Sequence, residues 1–307
     1  NESDIYLRYV LSTLTGLQHL SLKNVSNLTH LDWINKGSKL RGLDLYGNGI
    51  ADLTLLETKA LNLEAIRINN QNIDITKIQK TIDKCAGSSI LSTTFGEAEG
   101  FEQIGSGFLC YGDNLLNQLG NCKEITNLYI WSHGDQFSSN NYTLDLSGCT
   151  NLKKLTMCRV VKGTVKLSSA IEIAVLEDVN WFKVDFSEAF SLKDLQMNAC
   201  VYDMEGLNNL AQNLSEFDSI ESIQIRNHGH AGDLDTYTDW LKYFKDCTNL
   251  KNFIIIPYAN NTSHNGTYGD ISHIEFPSCL KKLDMHYMGI TKMPDVSKCN
   301  QLEKLNV

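Results

Sequence analysis

The sequence predicts an α/β solenoid. The expected form is a right-handed coil of about 12 repeats, with short parallel strands lining a curved, concave sheet and mixed helices, 3-10 turns and extended returns on the convex side. Three observations predict it. The first is the segment Leu40-Arg41-Gly42-Leu43-Asp44-Leu45-Tyr46-Gly47-Asn48-Gly49-Ile50, which reads L-x-x-L-x-L-x-x-N-x-I. A strand turns alternate side chains to opposite faces, so Leu43 and Leu45 point one way while Gly42, Asp44 and Tyr46 point the other. At Gly47-Asn48-Gly49 the chain can turn, because glycine and asparagine tolerate positive φ. One such unit cannot bury its own apolar face, so copies must stack. The second observation is that copies do recur, and the third is that the longer gaps between them carry helical periodicity.

In chain order, residues 1–16 form a flanking segment and the repeats occupy 17–307. Strand templates start at Leu17, Leu40, Leu63, Ile90, Ile125, Leu152, Ile171, Leu192, Ile220, Leu250, Leu280 and Leu302. The first three starts are 23 residues apart; later spacings run from 19 to 35, so the return paths differ in length. At Ile171 the alternative register Ala170-Ile173-Val175 fits nearly as well. Apolar residues at helical spacing precede several starts: Ile75, Ile78 and Ile82; Leu115, Leu116 and Leu119; Leu207, Leu210 and Leu214; Trp240, Leu241 and Phe244. These predict helices on the outer side, with 3-10 or extended returns in the shorter repeats. Glycines at 96, 100, 105 and 107 mark an expected inserted loop at about 96–112.

The pattern over 17–307 resembles the leucine-rich repeat family, which implies the solenoid just described and a role in ligand recognition. The family's Asn, or its usual Cys substitute, stands only at Asn48 and Cys200, with Gln71 as a relative; Val25, His133, Val160, Val179, His228, Tyr258 and Met288 hold the position elsewhere. That speaks against a continuous asparagine ladder. The regular 22-residue internalin spacing with its proline turn is missing beyond Met293-Pro294-Asp295, so the chain looks more like the irregular repeat proteins of bacterial surfaces.

The 307 residues are 42% hydrophobic and 21% charged, enough for a large core. A net charge of -9 argues against a duplex nucleic-acid binder, which needs a basic face to replace phosphate counterions. Apolar runs such as Phe253-Ile254-Ile255-Ile256 fall far short of the ~20 residues of a spanning helix. The chain begins at Asn1 and stops at Val307 directly after a strand, which is expected for a processed or trimmed piece of a longer solenoid.

Nine cysteines make an odd set. Cys122, Cys149, Cys247 and Cys299 each stand three residues before a strand's first Leu or Ile, and Cys85 and Cys279 lie close to the same point. Equivalent positions stack in a solenoid, where cysteine serves as a small buried hydrophobe. Pairing into disulfides is the alternative. Without a C-x-x-C, a zinc site is not expected. Cys158 falls in outward register.

No nucleophile elbow, zincin motif or phosphate loop occurs, and the chain is not expected to be an enzyme or to hold a cofactor. The histidine-bearing turns Ser132–Asp135 and Asn227–Asp235 could offer a transition metal His and carboxylate ligands. As polar, glycine-rich exits from a strand they need no metal, and none is expected. Seven sequons, at Asn24, Asn27, Asn141, Asn213, Asn260, Asn261 and Asn265, say nothing about origin in an Asn- and Ser-rich chain.

Function is therefore expected from the concave sheet, where a rigid backbone fixes outward side chains and leaves little entropy to lose on binding. The outward positions include Tyr46, Arg67, Tyr129, Trp131, Arg226, Ile254, Ile256, His286 and, one further on, Tyr287. Aromatic and Arg anchors dominate interface energetics. The expected activity is recognition of a protein or glycan by a monomer, on a bacterial surface or secreted. A spacer presenting another domain, or an intracellular scaffold, is the alternative.

Overall fold

The structure, a computed structural model, describes residues 2–35, 37–45, 47–68, 73–87, 107–110, 117–131, 143–158, 164–177, 179, 183–202, 204–230, 239–257 and 269–307. It divides into two compact units, Asn1–Leu155 and Thr156–Val307.

The first unit contains α1 (Glu2–Thr13), β1 (His19–Ser21), β2 (Gly42–Asp44), α2 (Leu56–Lys59), β3 (Ala65–Ile68), a 3-10 helix at Ile75–Ile78 running into α3 (Gln79–Gly87), β4 (Gly107–Cys110), β5 (Asn127–Trp131) and β6 (Thr143–Asp145). β1 to β5 pair in chain order, all parallel. The register is one repeat apart: Leu20 faces Leu43, Leu43 faces Ile66 and Ile66 faces Phe108. The fourth strand is a correction to the sequence reading. Ile90 lies outside the described residues, and Gly107–Cys110, expected as part of a loop, is the strand that pairs with β3 and β5.

Chain passes into the second unit within β7 (Lys154–Cys158), followed by β8 (Thr164–Lys166), β9 (Ile173–Glu177), β10 (Lys183–Asp185), β11 (Asp194–Asn198), β12 (Val201–Tyr202), α4 (Met204–Ser215), β13 (Ser222–His230), a 3-10 helix at Asp239–Asp246, β14 (Asn252–Pro257), β15 (Gly269–Asp270), β16 (Lys282–Asp284), β17 (Ile290–Lys292) and β18 (Lys304–Asn306). β9, β11, β13, β14, β16 and β18 form one parallel ladder. The pairs β8–β10 and β15–β17 are parallel too and sit on the return paths. Ala174 and Leu176 are buried while Ile173 and Val175 are half-buried, so the strand after Ile171 takes the Ile171 register.

Two further expectations change. Asp239–Asp246 is a 3-10 helix, and its tighter turn still buries Trp240, Leu241 and Phe244. Asn227–His230, expected to leave the strand as a turn, continue β13, because β12 gives them a second partner: Val201 faces Gly229 and Tyr202 faces His230.

Repeats are held together by more than leucine. Trp240, Phe244, Phe253 and Phe276 form an aromatic cluster with centroids 5.1–5.6 Å apart along the chain of contacts Trp240–Phe244–Phe253–Phe276. Such pairs contribute about 0.5–1.5 kcal/mol each beyond their buried area. Cys85, Cys122, Cys247 and Cys299 are buried free thiols and Cys279 is a half-buried one. Several thiols bridge to the preceding repeat: Cys149 Sγ donates to the Leu119 carbonyl at 3.0 Å, Cys279 Sγ to Leu250 at 3.3 Å and Cys299 Sγ to Pro277 at 3.4 Å. Burial pushes the thiol pKa of Cys85, Cys122, Cys149 and Cys247 up to about 12.

Separate asparagine bridges link some repeats, at a position the family pattern does not mark. Asn62, Asn151 and Asn249, each one residue before a strand's first Leu, donate Nδ2 to the carbonyls of Ser38, Lys123 and Asp218 in the repeat before. Asn48 keeps the expected role, its Oδ1 accepting from Ile50 N at 2.9 Å inside the turn. That turn needs Gly47, whose φ is +75° and whose added Cβ would lie 2.3 Å from Asn24 Oδ1.

Candidate ligand-binding face

In the second unit each strand sends alternate residues inward. One inward row runs Ala174, Leu195, Ile223, Phe253, Leu283 and Leu305, and the next runs Leu176, Met197, Ile225 and Ile255. The outward rows are equally strict. The third position of each repeat gives Ile173, Asp194, Ser222, Asn252, Lys282 and Lys304; the fifth gives Val175, Gln196, Gln224, Ile254, Asp284 and Asn306; the seventh gives Glu177, Asn198, Arg226 and Ile256. Apolar residues at positions one, four and six, stacked in parallel one repeat apart, decide the fold. The architecture is a leucine-rich repeat.

This leucine-rich repeat was compared with known proteins. No family model matches it, and no curated protein matches it. Among solved structures it is similar to an internalin, InlF, from Listeria monocytogenes, with 13% identity over 99% of this chain and 94% of that chain and a TM-score of 0.31. It is also similar to the plant peptide hormone receptor RGFR1 in complex with RGF2, with 12% identity over 94% of this chain, about half (51%) of that chain and a TM-score of 0.28. The architecture rests on the strand register and not on these superpositions.

The rows differ in accessibility. At position five, Asp44, Arg67, Ile254 and Asp284 are buried although they face outward. Arg67 is 6% exposed and Ile254 4%, so neither stands clear of the sheet as an anchor would. Arg67 Nη1 meets Asp44 Oδ2 at 3.5 Å, and Ser21 Oγ lies at the same distance from that carboxylate. Beside them burial, with Arg41 adding to it, pushes the His19 pKa below its ordinary value. Position seven is more open: Arg226 is exposed and Ile256 half-buried. Tyr129 is half-buried on β5; Trp131 is placed in β5 by its backbone, its side chain and the whole of Tyr46 lying outside the described residues.

At β16, His286 Nδ1 lies 2.5 Å from Asp284 Oδ1 and 3.2 Å from Asn306 Nδ2. Tyr287 packs its ring edge against His286, centroids 4.6 Å apart, and remains 71% exposed with φ +63°. The expected set thus separates into Arg226, Ile256, His286 and Tyr287, accessible in the second unit, and the covered Arg67 and Ile254. Lys282, Lys304, Asn198 and Gln224 share the same face and were missed. Period-two alternation within each strand marks them, but aromatic and Arg content was the signal used.

Residues 132–135 and the side chains of 227–235 lie outside the described residues, and with them the histidine-rich segments. Among the described residues no group of three or more His, Cys, Asp or Glu is arranged to hold a metal ion. Nor is any described helix long and apolar enough to cross a membrane.

Proposed function

We propose that this leucine-rich repeat is a non-catalytic recognition module that binds a protein or a glycan through outward side chains of its parallel strands, on a bacterial surface or after secretion. The observation that carries the reading is Arg226, exposed on β13 with Asn198 and Ile256 in register on either side. Three strands locked in a ladder present a charge, an amide and an apolar group at fixed spacing. A ligand that fits them meets a surface whose ordering cost was met at folding. Arg is also among the residue types that recur at interface hot spots. In the first unit Tyr129 and Trp131 on β5 are the corresponding candidates.

The test is capture on protein and glycan arrays by the whole chain, then by R226A/I256A and by Y129A/W131A. Loss of capture of about tenfold or more in one double variant, with the urea midpoint unchanged, supports the reading and assigns the face. Unaltered capture by both variants rejects it.

A further inference from the structure

Charge is neutralised in pairs along most of the second unit's ladder. The residues after each repeat's first Leu or Ile run Glu172, Lys193, Glu221, Lys251, Lys281, Glu303 and pair two by two, Glu172–Lys193 at 2.8 Å, Glu221–Lys251 at 2.7 Å and Lys281–Glu303 at 3.7 Å. One residue on, the pattern breaks. Lys282 on β16 and Lys304 on β18 are directly opposite one another in register, on the same outward row. Like charges in that arrangement repel and destabilise a sheet. The carboxylates nearby are already engaged, Glu303 by Lys281 and Asp284 by His286. In the turn that follows β16, Tyr287 stands out in a left-handed conformation that a bulky residue rarely adopts. Edge contact with the His286 ring holds it there. Among the described residues Lys282 and Lys304 make no ion pair, and the exposed Tyr287 lies in the turn that follows β16.

We propose that this region receives an acidic segment of a protein partner, with carboxylates against Lys282 and Lys304 and an apolar side chain against Tyr287. The inference deepens the recognition reading and rests on it. Charge complementarity selects the occupant: two lysines opposite one another in register match one or two carboxylates, and a net charge of -9 on the chain disfavours an extended polyanion such as a nucleic acid. Binding by such a surface weakens with salt, because these cations are near the surface.

The experiment selects peptides from a random-peptide display library on the whole chain, then measures the enriched peptides, made synthetically, by fluorescence anisotropy at low and high salt. Expected are Asp- and Glu-rich peptides whose affinity falls at least tenfold in K282E/K304E and about tenfold in Y287A, while K245E, a charge reversal on the outer side, leaves it unchanged. K282E/K304E exchanges one opposed like-charge pair for another, so its thermal unfolding should stay close to the parent's. Enrichment without acidic bias, or acidic peptides that bind K282E/K304E as well as the parent, overturns this assignment while leaving the module reading intact. Failure to enrich any peptide, together with no capture on the arrays, overturns both.

Discussion

Arg67 and Arg226 both face outward from parallel strands, and they meet opposite fates. Arg67 stands at position five of its repeat, paired with Asp44, and the two side chains are 7% and 5% exposed. Arg226 stands at position seven of its repeat and is exposed. The same backbone geometry thus makes one arginine part of the packing and the other part of the surface. The neighbours on adjacent strands decide: Asp44, Arg67, Ile254 and Asp284 at position five are covered, while Val175, Gln196 and Gln224 in the same row are half-buried. Position seven, with Arg226 exposed and Ile256 half-buried, is the row of the second unit that stands clearest of that packing.

The sharpest way to break that comparison is to truncate each arginine. R67A leaves the Asp44 carboxylate buried with its cation gone, which should cost about 3–5 kcal/mol. R226A removes a solvated side chain and should fall within about 0.5 kcal/mol of the parent. Urea unfolding of both variants checks the pair, and similar midpoints would show that the neighbours on adjacent strands do not matter. Replacing both charges, as in D44L/R67M, should recover much of the loss, since a well-packed apolar pair often matches a buried ion pair.

The second prediction compares the thiols of the two units. Cys85, Cys122 and Cys149 in the first unit, and Cys247 in the second, are raised by burial from an ordinary value near 9 to about 12. Cys279 and Cys299 are raised for the same reason. A thiol whose folded pKa is raised contributes stability that is whole below its unfolded value and is lost as pH climbs toward the folded one. Unfolding midpoints should therefore hold to about pH 8 and fall steadily between pH 9 and 12. The first unit, with three of the four most raised thiols, should lose protection first in hydrogen exchange. C149A should flatten the alkaline slope while lowering the neutral-pH midpoint.

Much of this fold was legible in the sequence because the strand pattern repeats within a few residues. Leu40-Leu43-Leu45 marks a strand by its spacing alone, and the starts at Leu192, Ile220 and Leu250 lead into β11, β13 and β14. The fourth strand was not legible. Gly107-Phe108-Leu109-Cys110 is ordered by pairing with Ala65–Ile68 and carries too little of the leucine pattern to announce itself. Accessibility at position five was invisible too, because it depends on side chains in adjacent repeats and not on the residue itself. The same holds for the asparagine bridges and for ion pairs such as Lys193–Glu172, whose partners lie 21 residues apart. The motif Asp-x-Ser/Thr could have been read directly. It occurs at Asp52, Asp74, Asp145, Asp185, Asp270 and Asp295, and each aspartate accepts from the backbone N–H two residues on at 2.9–3.1 Å.

Those turns give the third prediction. Hydrogen bonds from Thr54, Thr76 and Ser297 hold Asp52, Asp74 and Asp295 below the ordinary carboxylate range, and Lys292 with Ser272 does the same for Asp270. A depressed carboxylate contributes stability above its unfolded pKa of 3.8 and loses it as pH falls through the folded value. The effect per residue is small because all four are close to solvent. Thermal melting should decline below about pH 4, and D295N should remove part of that acid slope while leaving the alkaline slope untouched.

The smallest effect belongs to the charge row that separates the paired stretch of the second unit from its unpaired corner. Glu172 and Lys193 are 32% and 51% exposed, so screening by water leaves only a weak favourable coupling in a double-mutant cycle of E172A and K193A. Lys282 and Lys304 should give a coupling of opposite sign from K282A and K304A, since each truncation relieves the other residue. High salt should shrink both couplings toward zero. A favourable coupling between the two lysines would mean that the in-register cations do not repel, and would remove the physical ground for placing an acidic partner over them.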